Sequence, residues 1–464
     1  MKHLNEGNIY KNFILYAIPL VLSGILTQAY HIVDTMIAGR YLGESGLAAI
    51  GSTSGLISLL SSLFWGWTMG FGVFVGKRFG ACEYDRIKKS FYSFVLIFSL
   101  IVIAICGMII ALYRPIFSLL NVSDVAYHGA RNYFLIYIFG LFLIIVQHAC
   151  SATMCAMGES KVPLLFSIVS MVINIGGNLL TVIVFGWGTA GLAVSSLFSC
   201  AVVLAGYFIK FRSVFRKLGV TERIRVSTKN LKGITGYGLP VMLQQSSMYL
   251  AGAVVSPFVN ALGSSATAGY SIANQLSTIT ATFYWNTNAT ISHYTSQCMG
   301  AKDYHKIHRG IKVGLLQTTL FVLPILLITI ICPQLICNLF FQDPDATGLT
   351  YAVHFGRYFM PFALLAMIDN MFHGLFRAVK SMDKLVVATL INTVSRVVSS
   401  IILVNFYGIY GIFAGFVVGW FIEAVYTLSV FFAGKWIPKK LRQEYKEACQ
   451  NAKENSSQVT EEVK

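Results

Sequence analysis

Residues 19–43 read PLVLSGILTQAYHIVDTMIAGRYLG. About 20 consecutive apolar residues cross the hydrocarbon core of a bilayer, and this stretch is long and apolar enough to do so while carrying one carboxylate, Asp34, near its far end. A charge at the centre of a spanning helix costs roughly 2.5–3.5 kcal/mol even on insertion scales, so it faces a cavity, a partner or an ion. The rest of the chain is read around that acid.

Apolar runs of the same length recur from end to end. The 464 residues are 56% hydrophobic and 12% charged, with a mean hydropathy of +0.67, which exceeds the apolar content of a soluble domain. The pattern predicts an all-α polytopic membrane protein with twelve spans. They fall near 12–37, 48–75, 91–113, 131–153, 162–185 and 190–210, then near 235–260, 270–296, 310–332, 354–378, 385–407 and 410–434. The opening MKHLNEGNIYKN holds no apolar core with a cleavage site, so no signal peptide is expected.

The net charge of +16 suggests nucleic acid only until the positions of the 35 Lys and Arg are considered. With the N-terminus inside, 30 of them fall on the cytoplasmic segments, four (Arg40, Arg114, Arg131, Arg357) fall outside, and Arg396 lies within a span. The positive-inside rule therefore places both termini in the cytoplasm and explains the basic excess without an anionic partner. The nine cysteines are scattered singly and read as small packing residues, not metal ligands.

The two sets of six spans overlay on one another. Ile18-Pro19-Leu20-Val21-Leu22 matches Leu239-Pro240-Val241-Met242-Leu243, Tyr41-Leu42-Gly43 matches Ala261-Leu262-Gly263, and FGACEYDRI from Phe79 matches MGAKDYHKI from Met299 at an offset of 220. An even number of spans per half gives a parallel 6+6 repeat, with a substrate path expected between the halves. The expected organisation is an N-terminal six-helix lobe over 1–210, a cytoplasmic linker over 211–234, a C-terminal six-helix lobe over 235–437 and a cytoplasmic tail over 438–464 whose helical start frays into disorder.

The proline-bearing first span with VDTMIAGRYLG, then GACEYDR after span two and NIGGN in span five, give the chain its likeness: it resembles the multidrug and toxic compound extrusion (MATE) family over all twelve spans. The resemblance implies a V-shaped bundle of two six-helix lobes. It also implies export of organic, often cationic, compounds by alternating access in exchange for Na+ or H+. In one large branch an ion site uses an Asp in span one, an Asn and an Asp four residues apart in span five, and a hydroxyl in span six. These fall on Asp34, Asn174, Asn178 and Ser196, so the second acid is an amide here. An acid expected in span seven of another branch would lie near Met248 and is absent.

The residues support a site without the family. Asn174 and Asn178 are i and i+4 and share one helical face, and at 1.5 Å per residue Asp34, Asn178 and Ser196 each sit on the order of 5–12 Å below the outer surface. A carboxylate, two amide oxygens and a hydroxyl suit a hard cation such as Na+, Asp34 alone suits a proton, and interhelical hydrogen bonding by the Asn pair is the alternative. His31 is a secondary titratable candidate. Arg396 and Glu423 both lie roughly 16 Å in from the cytoplasmic surface and are predicted to form a structural ion pair, with Asp369 as the other partner for Arg396 or as a counter-charge for substrate. Span eight is rich in uncharged polar groups. Asn274, Thr278, Trp285 and Asn288, with Gln244 and Gln245 of span seven, are candidate cavity residues beside Asp369. Tyr30, Tyr249 and Tyr284 offer faces for a flat cation. Prolines 19, 240 and 257 can kink spans one and seven.

The expected function is secondary active multidrug export at the bacterial plasma membrane. The partners are small organic substrates and membrane lipids, with no nucleic acid. The chain is expected to act as a monomer, with no cofactor beyond the coupling ion, Na+ or H+. A flippase for a lipid-linked saccharide is the alternative, and would need a cationic cavity for diphosphate. No HExxH metal motif, no nucleophilic constellation and no GxxxxGK[ST] phosphate loop marks an enzyme or an ATP-driven pump. No filter-like repeat marks a channel.

Overall fold

A computed structural model describes residues 3–119, 122, 124–220, 226, 231–338, 347–448 and 450. The first half supplies six long apolar helices: α1 (Ile9–Gly43), α2 (Ser45–Gly80), α3 (Tyr84–Ala111), α4 (Ala126–Ala156), α5 (Lys161–Val184) and α6 (Gly188–Lys217). The second half begins with α7 (Leu231–Ala261) and α8 (Ser264–Ala301). It continues with α9 (Tyr304–Ile331), α10 (Thr347–Val379), α11 (Met382–Tyr407) and α12 (Ile409–Phe432). Among the described residues, 10 of these helices are long and apolar enough to span a bilayer. The other two, α7 and α8, are 31 and 38 residues long, and their amides and hydroxyls lower their hydropathy, not their length. The chain is an integral membrane protein of twelve helices in a 6+6 parallel repeat.

The duplication is written in the backbone. Gly43 and Gly263, 220 residues apart, both take positive φ (66° and 95°) where the first helix of each half turns into the second, a conformation that costs a residue without Cβ little. Cys82 and Lys302, again 220 apart, repeat a left-handed φ of 57° and 61° just before α3 and α9, which are both 28 residues long. An acid follows each turn. Glu83 accepts from Arg78 and Arg86, and Asp303 accepts from Lys306 and Asn5 at 2.9 Å each. Partial burial works against ionisation of Glu83, but the Arg78 guanidinium at its carboxyl prevails and holds it below its ordinary value.

The chain divides into two compact units, one of residues 18–242 and one of residues 3–17 with 243–464. The division falls inside α1 just before Pro19 and inside α7 just after Pro240. Each proline removes one i→i−4 hydrogen bond from its helix. The opening turns of α1 thus belong with the C-terminal unit and those of α7 with the N-terminal unit, unlike the lobe boundaries read from sequence. In the second unit Asn12 Nδ2 donates to the Leu4 and Glu6 carbonyls, and Tyr16 meets His293 at 2.8 Å.

Within residues 18–242, α4 packs on α6, α5 on α6 and α3 on α4. Small residues set the α5–α6 distance: a Cβ on Gly191 would lie 2.8 Å from Thr181 Oγ1, and one on Gly177 3.1 Å from Ser195. Phe71, Phe94 and Phe98 form a buried stack at 4.2 and 4.8 Å. In the second unit α11 lies along α12, and α8 contacts both α9 and α10. Gly411, Gly415 and Gly419 recur every four residues on α12. A Cβ on Gly415 would come within 2.9 Å of the Arg396 carbonyl, so the stripe lets the two backbones touch and leaves Glu423 as the next residue on that face.

Helix α6 continues to Lys217, past the expected start of the linker at 211; linker residues 221–225 and 227–230 lie outside the described residues. The tail's first turns are docked through Glu444 and Tyr445. Tyr445 Oη lies 2.5 Å from His308 Nδ1 and Tyr304 Oη donates to Glu444, because a ring of aromatics at Tyr304, His308, Phe431 and Trp436 gives Tyr445 a surface to bury against. Residues 451–464 lie outside the described residues.

Candidate functional site

The four residues singled out in the N-terminal half meet in one place. Asn178 Nδ2 donates to Asp34 Oδ1 at 2.5 Å and to Asn174 Oδ1 at 2.9 Å. Asn174 Nδ2 donates to Ser196 Oγ at 3.1 Å, and Tyr30 Oη lies 2.8 Å from the same hydroxyl. Local structure explains the convergence. The i, i+4 amides stand one above the other on α5, which changes to wider π-turns over Leu179–Val184 directly after Asn178. The glycine contacts between α5 and α6 bring Ser196 to hydrogen-bonding distance.

The electrostatics fit a cation. Asn174 and Asn178 are fully buried, and among the described residues Asn178 Oδ1 has no hydrogen-bond partner. A buried carbonyl oxygen left unmade costs about 1–3 kcal/mol, and a bound cation would supply what it lacks. Five oxygens from Asp34, Asn174, Asn178, Ser196 and Tyr30 are the hard donor set that Na+ prefers. Sequence reading took Tyr30 only as an aromatic face and missed Tyr133 and Tyr137 of α4, which stand within electrostatic reach of Asp34; their four-residue spacing was the available signal. His31 is exposed and packs edge-on against Tyr30 at 4.9 Å.

The second unit departs from the sequence reading. Arg396 and Glu423 do not form the expected ion pair. Arg396 Cζ sits 3.5 Å from the centroid of Phe416, while Glu423 accepts from His373 Nε2 at 2.9 Å and from Asn392 Nδ2 at 2.8 Å. Counting residues along a span does not settle pairing, because helix rotation decides partners, and α12 turns Phe416 toward the guanidinium. Nor is Asp369 the partner: it is fully buried and accepts from Thr427 at 2.7 Å.

The candidate cavity residues separate into two groups. Gln244 and Asn288 are buried and bonded across helices, Gln244 to His373 Nδ1 at 2.8 Å and Asn288 Oδ1 to Arg377 Nη2 at 2.7 Å. With Asp369 they lie in the unit's interior packing. Gln245, Asn274, Thr278 and Trp285 are half-buried. Much of α8's polarity is absorbed by its own backbone, as Thr278, Thr280 and Thr282 each donate to the carbonyl four residues back. Arg377, which sequence reading did not single out, has one of the largest fully buried side chains among the described residues. His373 was missed altogether; its i, i+4 spacing with Asp369 and Arg377 was the signal.

The MatE family model matches residues 19–180 and 240–402, one block in each half. The chain belongs to the MatE family. The probable multidrug resistance protein YoeA of Bacillus subtilis is 26% identical to this chain over 324 residues, covering 67% of this chain and 69% of the relative. A FAD transporter of Shewanella oneidensis is 22% identical over 335 residues, covering 70% and 73%. Two solved structures establish the fold. A MOP superfamily transporter from Pyrococcus furiosus superposes with a TM-score of 0.84 at 19% identity, over 93% of this chain and 96% of that one. The outward-facing conformation of a multidrug resistance MATE family transporter gives 0.81 at 20% identity, over 94% and 97%.

Proposed function

We propose that this MatE protein is a secondary active exporter that moves organic, cationic compounds out of the cell in exchange for Na+ or H+, coupled through Asp34. The observation that carries the reading is the pairing of Asp34 with the buried, partnerless Asn178 Oδ1 among the oxygens of Asn174, Ser196 and Tyr30. One carboxylate among neutral oxygens matches a monovalent cation, and the half-buried groups of α8, with Asn274, Thr278 and Trp285, supply hydrogen bonds and a ring face for a flat organic cation. The multidrug names of several relatives support the same substrate class. The protein acts as a monomer in the bacterial plasma membrane with both termini in the cytoplasm, and performs no chemistry on its substrate. The flippase reading needs a cationic cavity, whereas Arg396 lies on Phe416 and Arg377 is bonded to Asn288.

Inside-out vesicles given ethidium in the medium as substrate, with sodium and proton gradients (lumen high) imposed separately, test the proposal by uptake into the lumen. Asp34→Asn should abolish gradient-driven export while leaving expression and thermal unfolding near parental. Parental export by Asp34→Asn under both gradients would move the coupling site elsewhere.

A further inference from the structure

Of the four arginines that the charge pattern leaves outside, two converge on one ring. Arg114 Cζ lies 5.9 Å and Arg131 Cζ 5.6 Å from the centroid of Tyr113, and Arg114 Nε donates to Tyr113 Oη at 3.3 Å. Both arginines are exposed. Among the described residues, no acid stands among the charges that act on Tyr113 or Arg114. We propose that Tyr113, Arg114 and Arg131 form a binding site for a phosphate oxyanion at the membrane boundary of the first unit, separate from the Asp34 cluster.

Three observations lead there. First, packing holds the arrangement in place. Tyr113 and Arg114 belong to a short helix, Tyr113–Leu119, between α3 and α4. Phe117 of that helix is buried and packs edge-on against Phe134 at 5.4 Å and Tyr127 at 5.6 Å, both on α4. Arg131 stands three residues before Phe134 on α4, so the two are neighbours along one face, and the anchor that holds the short helix also brings Arg131 to Tyr113. Second, the fold does not require the cations. α9 repeats α3 at an offset of 220, and a short helix, Pro333–Cys337, again follows it. At that offset Tyr113, Arg114 and Arg131 become Pro333, Gln334 and Tyr351, whereas buried Phe117 becomes buried Cys337. Both halves keep the buried anchor and only the first carries the charges, so these serve something other than closing the connection. Third, the two like charges at one ring repel each other, and exposed cation–π contacts offset little of that. An oxyanion held between them removes the repulsion.

The donors fit phosphate. A guanidinium presents a planar fork of N–H groups that matches two phosphate oxygens at once. Arg114 commits Nε to Tyr113, which leaves its Nη groups, the fork of Arg131 and the Tyr113 hydroxyl proton for a ligand, more donors than the two oxygens of a carboxylate can use. The Arg114 bond holds the Tyr113 hydroxyl below its ordinary value, which makes it the stronger donor. Tyr113 lies two residues beyond Ala111, the last residue of α3, the level at which tyrosines meet headgroups. The ligand is therefore a phosphate group, carried by a lipid of that leaflet or by a soluble compound. Which leaflet this is rests on the orientation proposed for the exporter, and the site itself does not.

Binding is read without transport, so failure here and failure of the exporter proposal are distinguishable. The full chain, with fluorotyrosine incorporated at position 113, is purified in dodecyl maltoside, a detergent without phosphate, and followed by fluorine NMR. Inorganic phosphate and short-chain phosphatidylglycerol are titrated separately, with sodium chloride at equal ionic strength and a short-chain diacylglycerol as controls. A saturable shift with a phosphate compound and with neither control is expected. A shift with the lipid alone assigns a headgroup, and a shift with inorganic phosphate assigns a soluble ligand. Arg114→Gln and Arg131→Gln should each weaken binding about fivefold, the weight of one exposed charge pair, and the double variant should abolish the shift. No shift with either compound, an equal shift with chloride, or a double variant that shifts like the parent overturns the site. So does a shift that appears only in Asp124→Asn, because that acid of the same connection would then already neutralise the pair. Should the double variant fail to fold, the single variants decide, and parental affinity in both overturns the site.

Discussion

Asn178 is the residue through which the N-terminal site is most sharply tested. Its amide gives one hydrogen bond to the Asp34 carboxylate at 2.5 Å and one to Asn174 at 2.9 Å, while its own oxygen has no partner. Asn178→Leu keeps most of the volume and removes all three functions. A hydrogen bond to an ionised group contributes about 1.5–3 kcal/mol, and each 1.4 kcal/mol is about tenfold in affinity, so the coupling cation should bind at least about tenfold more weakly. Linkage converts this into a stability difference. At a cation concentration of about 100 parental Kd the bound ion stabilises the parent by about 2.7 kcal/mol, and after a tenfold loss by about 1.4 kcal/mol. The assay is thermal unfolding of detergent-purified parent and variant along a sodium series at fixed pH, repeated along a pH series without sodium. A variant that keeps the full parental cation-dependent shift in Tm would refute the assignment of Asn178 as a ligand.

Three further outcomes are expected. Gly415→Ala should destabilise the chain by about 1–3 kcal/mol, as overpacking does, because its Cβ would lie 2.9 Å from the Arg396 carbonyl; denaturation with unchanged Tm would mean that α11 and α12 separate without cost. Arg396→Met and Phe416→Leu should show a coupling of about 0.5–2 kcal/mol in a double-mutant cycle, the range of a desolvated cation–π contact, and simple additivity would remove that contact from the account. Glu83→Gln should lower stability by less than about 1 kcal/mol, since Arg86 is exposed and Arg78 and Glu83 are only half-buried. Arg78 holds the Glu83 carboxyl below its ordinary value, so its contribution is present above the unfolded carboxylate range and lost as pH falls through the depressed folded value. The parent and variant should therefore converge in Tm at acid pH, and a gap that widens instead would contradict that sign.

The sequence by itself determined the architecture. Hydropathy marks span length because a helix satisfies its whole backbone within one segment and so can cross lipid alone, and twelve spans were legible even where α7 and α8 fall short in apolar content. The repeat was legible too, and its offset of 220 returns in the paired turns at Gly43 and Gly263. Asp34, Asn174, Asn178 and Ser196 were named as a group by the family resemblance, and the cost of an acid in a span beside two amides on one helical face supported the grouping. What the tertiary structure decided was pairing. Counting residues orders positions along a span, but which neighbour a side chain faces depends on the rotation of each helix, which close glycine contacts such as Gly415 against the Arg396 backbone help to set. Rotation gave Arg396 to Phe416 and Glu423 to His373. It also left Asn178 Oδ1, Gln244 Oε1 and Asp369 Oδ2 without partners among the described residues, a fact that no one-dimensional pattern carries, because a vacant hydrogen bond exists only once the neighbours are in place.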